Sequence, residues 1–133
     1  MEIIKDVLKK YKNIALVGAS KDLTKTSSIV MKYLQDYGFK VYPVNPSMKG
    51  ESILGEKVFG NLKEIDGPIE IVDVFRPSNE ATEIAKDAIK VKAKVLWLQL
   101  DIRNEEAKKI VETNNIIYIE NKCTKIEYEK YFN

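Results

Sequence analysis

The chain is predicted to fold as an α/β domain built on a doubly wound parallel sheet of about five strands. Three observations predict this. Short, nearly continuous apolar runs recur along the chain, each is followed by a segment with apolar residues at helical spacing, and the first run breaks into a turn at Gly18. Strands of a parallel sheet are buried on both faces and lose polar alternation, while amphipathic helices between them cover those faces. With 133 residues, 44% of them hydrophobic, one core and a single domain over 1–133 are expected.

Each element has a local reason. Residues 2 to 12 place Ile3, Ile4, Val7, Leu8 and Tyr11 on one helical face, and strand one follows over 13 to 18. Thr26 or Ser27 is placed to cap a second helix whose Val30, Tyr33, Leu34 and Tyr37 keep the 3.6-residue period, with Gly38 ending it. Residues 39 to 44 read as strand two. From 47 to 68 the chain is Gly-rich and offers only one capped helical turn, at Asn61 to Ile65, so this crossover is expected to be irregular. Strand three is expected over 69 to 75, with Asp73 interrupting it. Ser78 or Asn79 then caps a helix carrying Ala81, Ile84, Ala85, Ala88 and Ile89 inward. Strand four covers 94 to 100, Asn104 caps the next helix, strand five covers 116 to 119, and Thr124 to Glu127 reads as a capping box opening a terminal helix. Right-handed crossovers predict the strand order 3-2-1-4-5, with the ligand crevice between strands one and four.

Composition narrows the chemistry. Histidine is absent, which removes the commonest general base and zinc ligand, so neither a metal site nor a Ser-His triad is expected. A net charge of +2 from 22 Lys+Arg and 20 Asp+Glu is too balanced to suggest nucleic acid. No apolar run approaches the ~20 residues that span a bilayer, and the N-terminal residues alternate charge with Ile and Leu. A soluble, cytoplasmic protein with no membrane partner is the expectation.

In a doubly wound sheet the ligand-binding residues follow the carboxyl ends of the strands. Gly18, Ala19, Ser20 and Lys21 follow strand one, with Ser27 at the start of the next helix. Val44, Asn45, Pro46 and Lys49 end strand two, Phe75, Arg76 and Pro77 end strand three, and Leu98 and Gln99 end strand four. Gly18 lets the backbone approach an anion, and Arg76, one of two arginines, suits bidentate phosphate recognition or an ion pair with a helix carboxylate. The G-x-G-x-x-G fingerprint is incomplete, because Ser20 and Leu23 replace its later glycines. Strand two also ends in Asn45 where an acid ordinarily holds an unmodified ribose diol. A neutral residue with Lys49 beyond it tolerates a phosphorylated ribose, such as the 3′-phosphate of coenzyme A (CoA) or the 2′-phosphate of NADP.

Five segments together carry a family resemblance: Val17 to Ser20, Val41 to Pro46, Ile71 to Pro77, Val95 to Leu100 and Glu120 to Cys123. They resemble the stand-alone CoA-binding protein family, related to the N-terminal domain of the succinyl-CoA synthetase α subunit and of ADP-forming acyl-CoA synthetases. The resemblance runs from about Lys12 to Tyr131 and implies a Rossmann-like fold. It implies CoA contacts at Gly18, Ala19, Ser20 and Lys21, at Val44, Asn45, Pro46 and Lys49, at Phe75, Arg76 and Pro77, and at Leu98 and Gln99. Lys49 stands one residue later than the matching synthetase lysine. The synthetase catalytic histidine belongs to a later domain, and no histidine here replaces it, so no catalytic residue is assigned.

The leading expectation is a domain that binds CoA or acyl-CoA as carrier, sensor or accessory subunit, without chemistry of its own. An acyl-CoA-utilising protein or a second copy of the chain would be its protein partner. An NADP-dependent oxidoreductase and an interaction module with a vestigial pocket are the alternatives. Cys123, placed before a helix and beside Lys122, is expected either to be a quiet buried thiol or, if the ligand is CoA, to meet its terminal thiol.

Overall fold

The protein is described by a computed structural model covering residues 2–133. The chain runs α1 (Glu2–Lys10), β1 (Asn13–Val17), α2 (Thr26–Asp36), β2 (Lys40–Val44), β3 (Ser52–Ile53), β4 (Glu56–Lys57), β5 (Ile71–Val74), α3 (Ala81–Lys90), β6 (Val95–Leu98), α4 (Glu105–Thr113), β7 (Ile117–Ile119) and α5 (Thr124–Phe132). Short 3-10 turns lie at Pro46–Met48, Leu62–Glu64 and Ser78–Glu80. Five strands form one parallel sheet in the order β2-β1-β5-β6-β7.

That order corrects the expected one. The strand at 69 to 75, shortened to β5, was expected outside β2 but pairs with β1, with Leu16 opposite Asp73 and Val17 opposite Val74. The outer flank of β2 is filled by the irregular crossover. Phe59 makes a single parallel bridge to Val44, donating its N–H to Pro43 O at 3.0 Å and accepting from Asn45 N at 2.9 Å. One residue therefore takes the place of an edge strand, and the chain must continue on the other side of β1. Strand order reverses between β1 and β5, and the crevice lies there, not beside strand four.

The sequence also gave no warning of the β3–β4 hairpin. Its two loop residues, Leu54 and Gly55, both have positive φ (49° and 82°), the geometry of a primed two-residue turn. Leu-Gly lacks the Asn or Asp that ordinarily announces such a turn.

Strand alternation sorts the core into two layers. Ile14, Leu16, Ile71, Val95 and Trp97 face α1, α2 and α5, whereas Ala15, Val72, Val74, Leu96 and Leu98 face α3 and α4. Gly38 ends α2 at φ 91° with Phe39 N donating to Leu34 O, and Asn104 caps α4 by accepting from Ala107 N at 2.8 Å. Three other caps differ from expectation. Lys25, not Thr26 or Ser27, is the N-cap of α2 and makes no side-chain bond. The 3-10 turn at Ser78–Glu80 leads into α3 with no side-chain cap. Cys123 is the N-cap of α5, so the capping box is not formed.

Thr124 is used otherwise. Its Oγ1 donates to Asp73 Oδ2 at 3.0 Å and accepts from Gln99 Nε2 at 3.2 Å, while Gln99 Nε2 also bonds Asp73 Oδ1. Trp97 Nε1 adds a 2.8 Å bond to Lys122 O. The start of α5 is thus pinned to the middle of the sheet by side chains of β5 and β6. Asp73, which interrupts the apolar run of its strand, is fully buried on the central strand, flanked by β1 and β6.

Burial raises the Asp73 pKa to about 7, opposed by the Gln99 and Thr124 hydrogen bonds. Between the unfolded value near 4 and this folded value, the native state holds a proton that the unfolded state has released. Stability from this group is therefore complete below pH ~4 and is lost as pH rises through about 7. Chemical denaturation of wild type and Asp73→Asn across pH 4 to 8 is expected to show the wild type weakening as pH rises and the variant losing that slope. A second expectation concerns Gly18, whose φ is 97° and where an added Cβ would stand 2.8 Å from Phe75 O. Gly18→Ala should lower unfolding free energy by ~2–4 kcal/mol, read from the same denaturation curves.

Candidate functional site

A cleft of about 480 Å³ opens over the carboxyl ends of β1, β2 and β5, on the side covered by α3. Val17, Val44, Leu62 and Ile84 supply apolar wall; Asn45, Ser47 and Asn61 supply hydrogen-bonding groups; Arg76, Glu80 and Asp87 supply charge. Gly18, Pro46 and Gly60 complete the lining. Apolar walls with a few convergent polar groups are the usual makeup of a small-molecule site.

The turn after β1 is tightly built. Gly18 N and Ala19 N both donate to Val44 O, at 3.0 and 3.2 Å, and Ala19 O accepts from Asn45 Nδ2 at 2.9 Å. The parallel pairing of β1 with β2 thus continues past the strand end and engages two amides that the sequence had suggested for an anion. Ser20 O accepts from Ser28 Oγ at 2.6 Å, and Ser20 Oγ accepts from Asp22 N. Lys21 pairs with Glu51 at 2.9 Å, and Ser27 is buried in the first turn of α2. Ala19, Ser20, Lys21 and Ser27 do not line the cleft.

After β2, Asn45 holds its own loop. Its Oδ1 accepts from Ser47 N and Ser47 Oγ, at 3.0 and 2.8 Å, which caps the 3-10 turn opened by Pro46. Lys49 extends to Glu64, 3.0 Å from Oε2, while Glu64 Oε1 accepts from Gly60 N at 2.9 Å. The Gly60 N–H and the Lys49 ammonium hold the Glu64 carboxyl below the usual carboxylate range.

After β5, Phe75 N donates to Val17 O at 2.8 Å, and the ring packs on the α1–α2–α5 side, away from the cleft. Arg76 lies over Gly18, its Cδ within 3.1 Å of where a Cβ would stand. Its guanidinium forms a two-pronged pair with Glu80, Nε to Oε1 at 3.0 Å and Nη2 to Oε2 at 2.8 Å. That pair lowers the Glu80 pKa and raises that of Arg76. Pro77 is exposed and starts the 3-10 turn beyond.

The residues at the end of β6 lie elsewhere. Leu98 is core on the α3–α4 side, and Gln99 is committed to Asp73 and Thr124. Cys123 is 6% exposed beneath α5, and burial, reinforced by Asp73, pushes its thiol pKa up despite the helix N–H groups. Desolvation therefore outweighs the lowering by the helix N–H groups and Lys125.

Of the sequence-derived positions, the cleft gathers Gly18, Val44, Asn45, Pro46 and Arg76. Sequence reasoning missed Val17 and Ser47 at the strand ends, Gly60, Asn61 and Leu62 from the crossover, and Glu80, Ile84 and Asp87 from the N-cap and body of α3. The last three stand one helical turn apart, a spacing readable in the sequence once that helix face is known to border the crevice. Among the described residues no group of three or more Cys, Asp or Glu is placed to hold a metal ion, and no helix is long and apolar enough to cross a membrane.

A family model described as a CoA binding domain matches residues 12–129. The uncharacterized protein YneT of Bacillus subtilis (strain 168) is 39% identical over 125 residues, covering 94% of this chain and 91% of that one. An ADP-forming acetate–CoA ligase of Methanocaldococcus jannaschii is 33% identical over 67 residues, 50% of this chain but only 9% of the ligase. A hypothetical protein of known structure from Pyrococcus horikoshii OT3 superimposes with a TM-score of 0.95 at 39% identity, over 99% of this chain and 92% of that one. With that model matching nearly the whole chain and the fold shared with these relatives, this chain belongs to the CoA binding domain family.

Proposed function

We propose that the protein binds CoA or an acyl-CoA in the cleft between β1 and β5, as a cytoplasmic carrier, sensor or accessory subunit without chemistry of its own. The observation that carries this reading is the convergence of Gly18, Asn45 and Arg76 on one crevice at the strand-order reversal. Apolar wall from Val17, Val44, Leu62 and Ile84 suits a base and the pantetheine arm, and Arg76 supplies the charge for a phosphate.

Because Gly18 N and Ala19 N are already bonded to Val44 O, recognition of the phosphates falls to side chains more than to the glycine turn. Gly18 then serves by its missing side chain, keeping Arg76 close above the strand ends. Arg76 in turn must exchange Glu80 for the ligand. Asp87 and Glu80 in the wall would repel a ligand phosphate unless it lies toward Arg76. The contacts suggested at Ser20, Lys21 and Ser27 belong to the rim at most, while Lys49 stands beside the cleft paired with Glu64. Those at Gln99 and Cys123 would require rearrangement of the buried Asp73 cluster, and that at Leu98 an opening of the α3–α4 core.

Calorimetry of the purified chain with CoA and with NADP tests this. Saturable binding of CoA at one site per chain is expected, and binding of NADP without CoA would overturn it. Arg76→Ala should weaken CoA binding by ~1–3 kcal/mol with the fold intact, the scale of a lost charge-assisted pair; undiminished affinity would remove Arg76 from the site.

A further inference from the structure

Three donors beside the cleft converge on one side chain of the protein itself. Glu64 receives Lys49 Nζ at 3.0 Å and Asn61 Nδ2 at 3.2 Å on Oε2, and Gly60 N at 2.9 Å on Oε1. An ammonium, a backbone N–H and a side-chain amide directed at one anion form a donor set that suits a phosphate oxygen as well as a carboxylate. Gly60 fits the arrangement closely, since an added Cβ would stand 3.2 Å from both Glu64 oxygens and 3.3 Å from Lys49 Cδ. Gly60 and Asn61 both line the cleft, and Lys49 extends from the loop that follows β2.

We infer that Glu64 occupies, in the free protein, a phosphate-monoester site formed by Lys49, Gly60 N–H and Asn61, and that the ligand's ribose phosphate displaces it. The inference rests on the CoA reading and adds the position of the 3′-phosphate. Position follows from the sheet. In doubly wound folds the residue ending the second strand meets the ribose, and that residue here is Asn45, which carries no charge to repel a phosphate and leads directly into the loop bearing Lys49. A phosphate dianion offers more charge and more acceptor oxygens than the carboxylate it replaces. Glu64 also selects: a ligand without the phosphate cannot compete for Lys49 and leaves the internal pair intact.

The test compares CoA with 3′-dephospho-CoA on wild type, Glu64→Gln and Lys49→Met. The wild type is expected to prefer CoA. Glu64→Gln, close in shape to the native residue, should bind CoA about three- to ten-fold more tightly through loss of the internal competitor, with dephospho-CoA changed by less than about two-fold. Lys49→Met should remove the preference between the two ligands. CoA should shift the Gly60 amide resonance of the wild type further than dephospho-CoA does, because only CoA replaces the Glu64 carboxylate that this amide bonds. Equal affinities for both ligands in wild type and Glu64→Gln would overturn the inference and leave CoA binding standing. Failure of both ligands to bind the wild type would overturn the functional reading itself, and the inference with it.

Discussion

The site depends on one close approach, the backbone of Gly18 against the carbonyl of Phe75. Any side chain at position 18 would meet that oxygen at 2.8 Å, and φ of 97° excludes most residues independently. The contact exists because β1 pairs with β5 and β2 at once, so its end is clasped between both neighbours: Phe75 N bonds Val17 O on one side, and Gly18 N and Ala19 N bond Val44 O on the other. Arg76 then has only one direction to take, over the glycine and into the crevice. The geometry of the cleft is thus set by backbone pairing before any functional side chain is considered.

Charge follows a second rule. The three cations that sequence reasoning brought to the strand ends are each held by a carboxylate: Lys21 by Glu51, Lys49 by Glu64, Arg76 by Glu80. Exposed pairs of this kind contribute little to stability, ~0–1 kcal/mol each, so their exchange for a ligand phosphate is not opposed by much folding free energy. By contrast the buried cluster of Asp73, Gln99 and Thr124 is isolated from water, satisfied internally and bound to the start of α5. Polar residues at strand ends therefore divide into an exchangeable group near the cleft and a fixed group inside the fold, and burial separates the two.

The sequence marked every main-sheet strand and all five helices, because apolar runs and 3.6-residue spacing are local properties. Gly18 and Gly38 were legible for the same reason, since their need for positive φ is written in the turn each one makes. Strand order was not legible. It turned on Phe59, one residue in an irregular crossover whose bridge to Val44 closes the edge of β2 and diverts the chain across β1. Nothing in the local pattern of residues 47 to 68 distinguishes that bridge from a loop, and the Leu54-Gly55 turn lacks the usual residues of a hairpin.

By itself the sequence determined the α/β class, the strand-end segments and their likeness to CoA-binding proteins, all of which follow from periodicity and short motifs. Tertiary structure alone decided which of those strand-end residues share a crevice. Leu98 ends its strand and Gln99 follows it, but side-chain alternation turns Leu98 into the α3–α4 core and the packing of α5 turns Gln99 inward, while α3 and its N-cap bring Glu80, Ile84 and Asp87 to the opening. Local sequence fixes where a side chain stands along its strand; the order of strands and the helix laid across them fix what it faces.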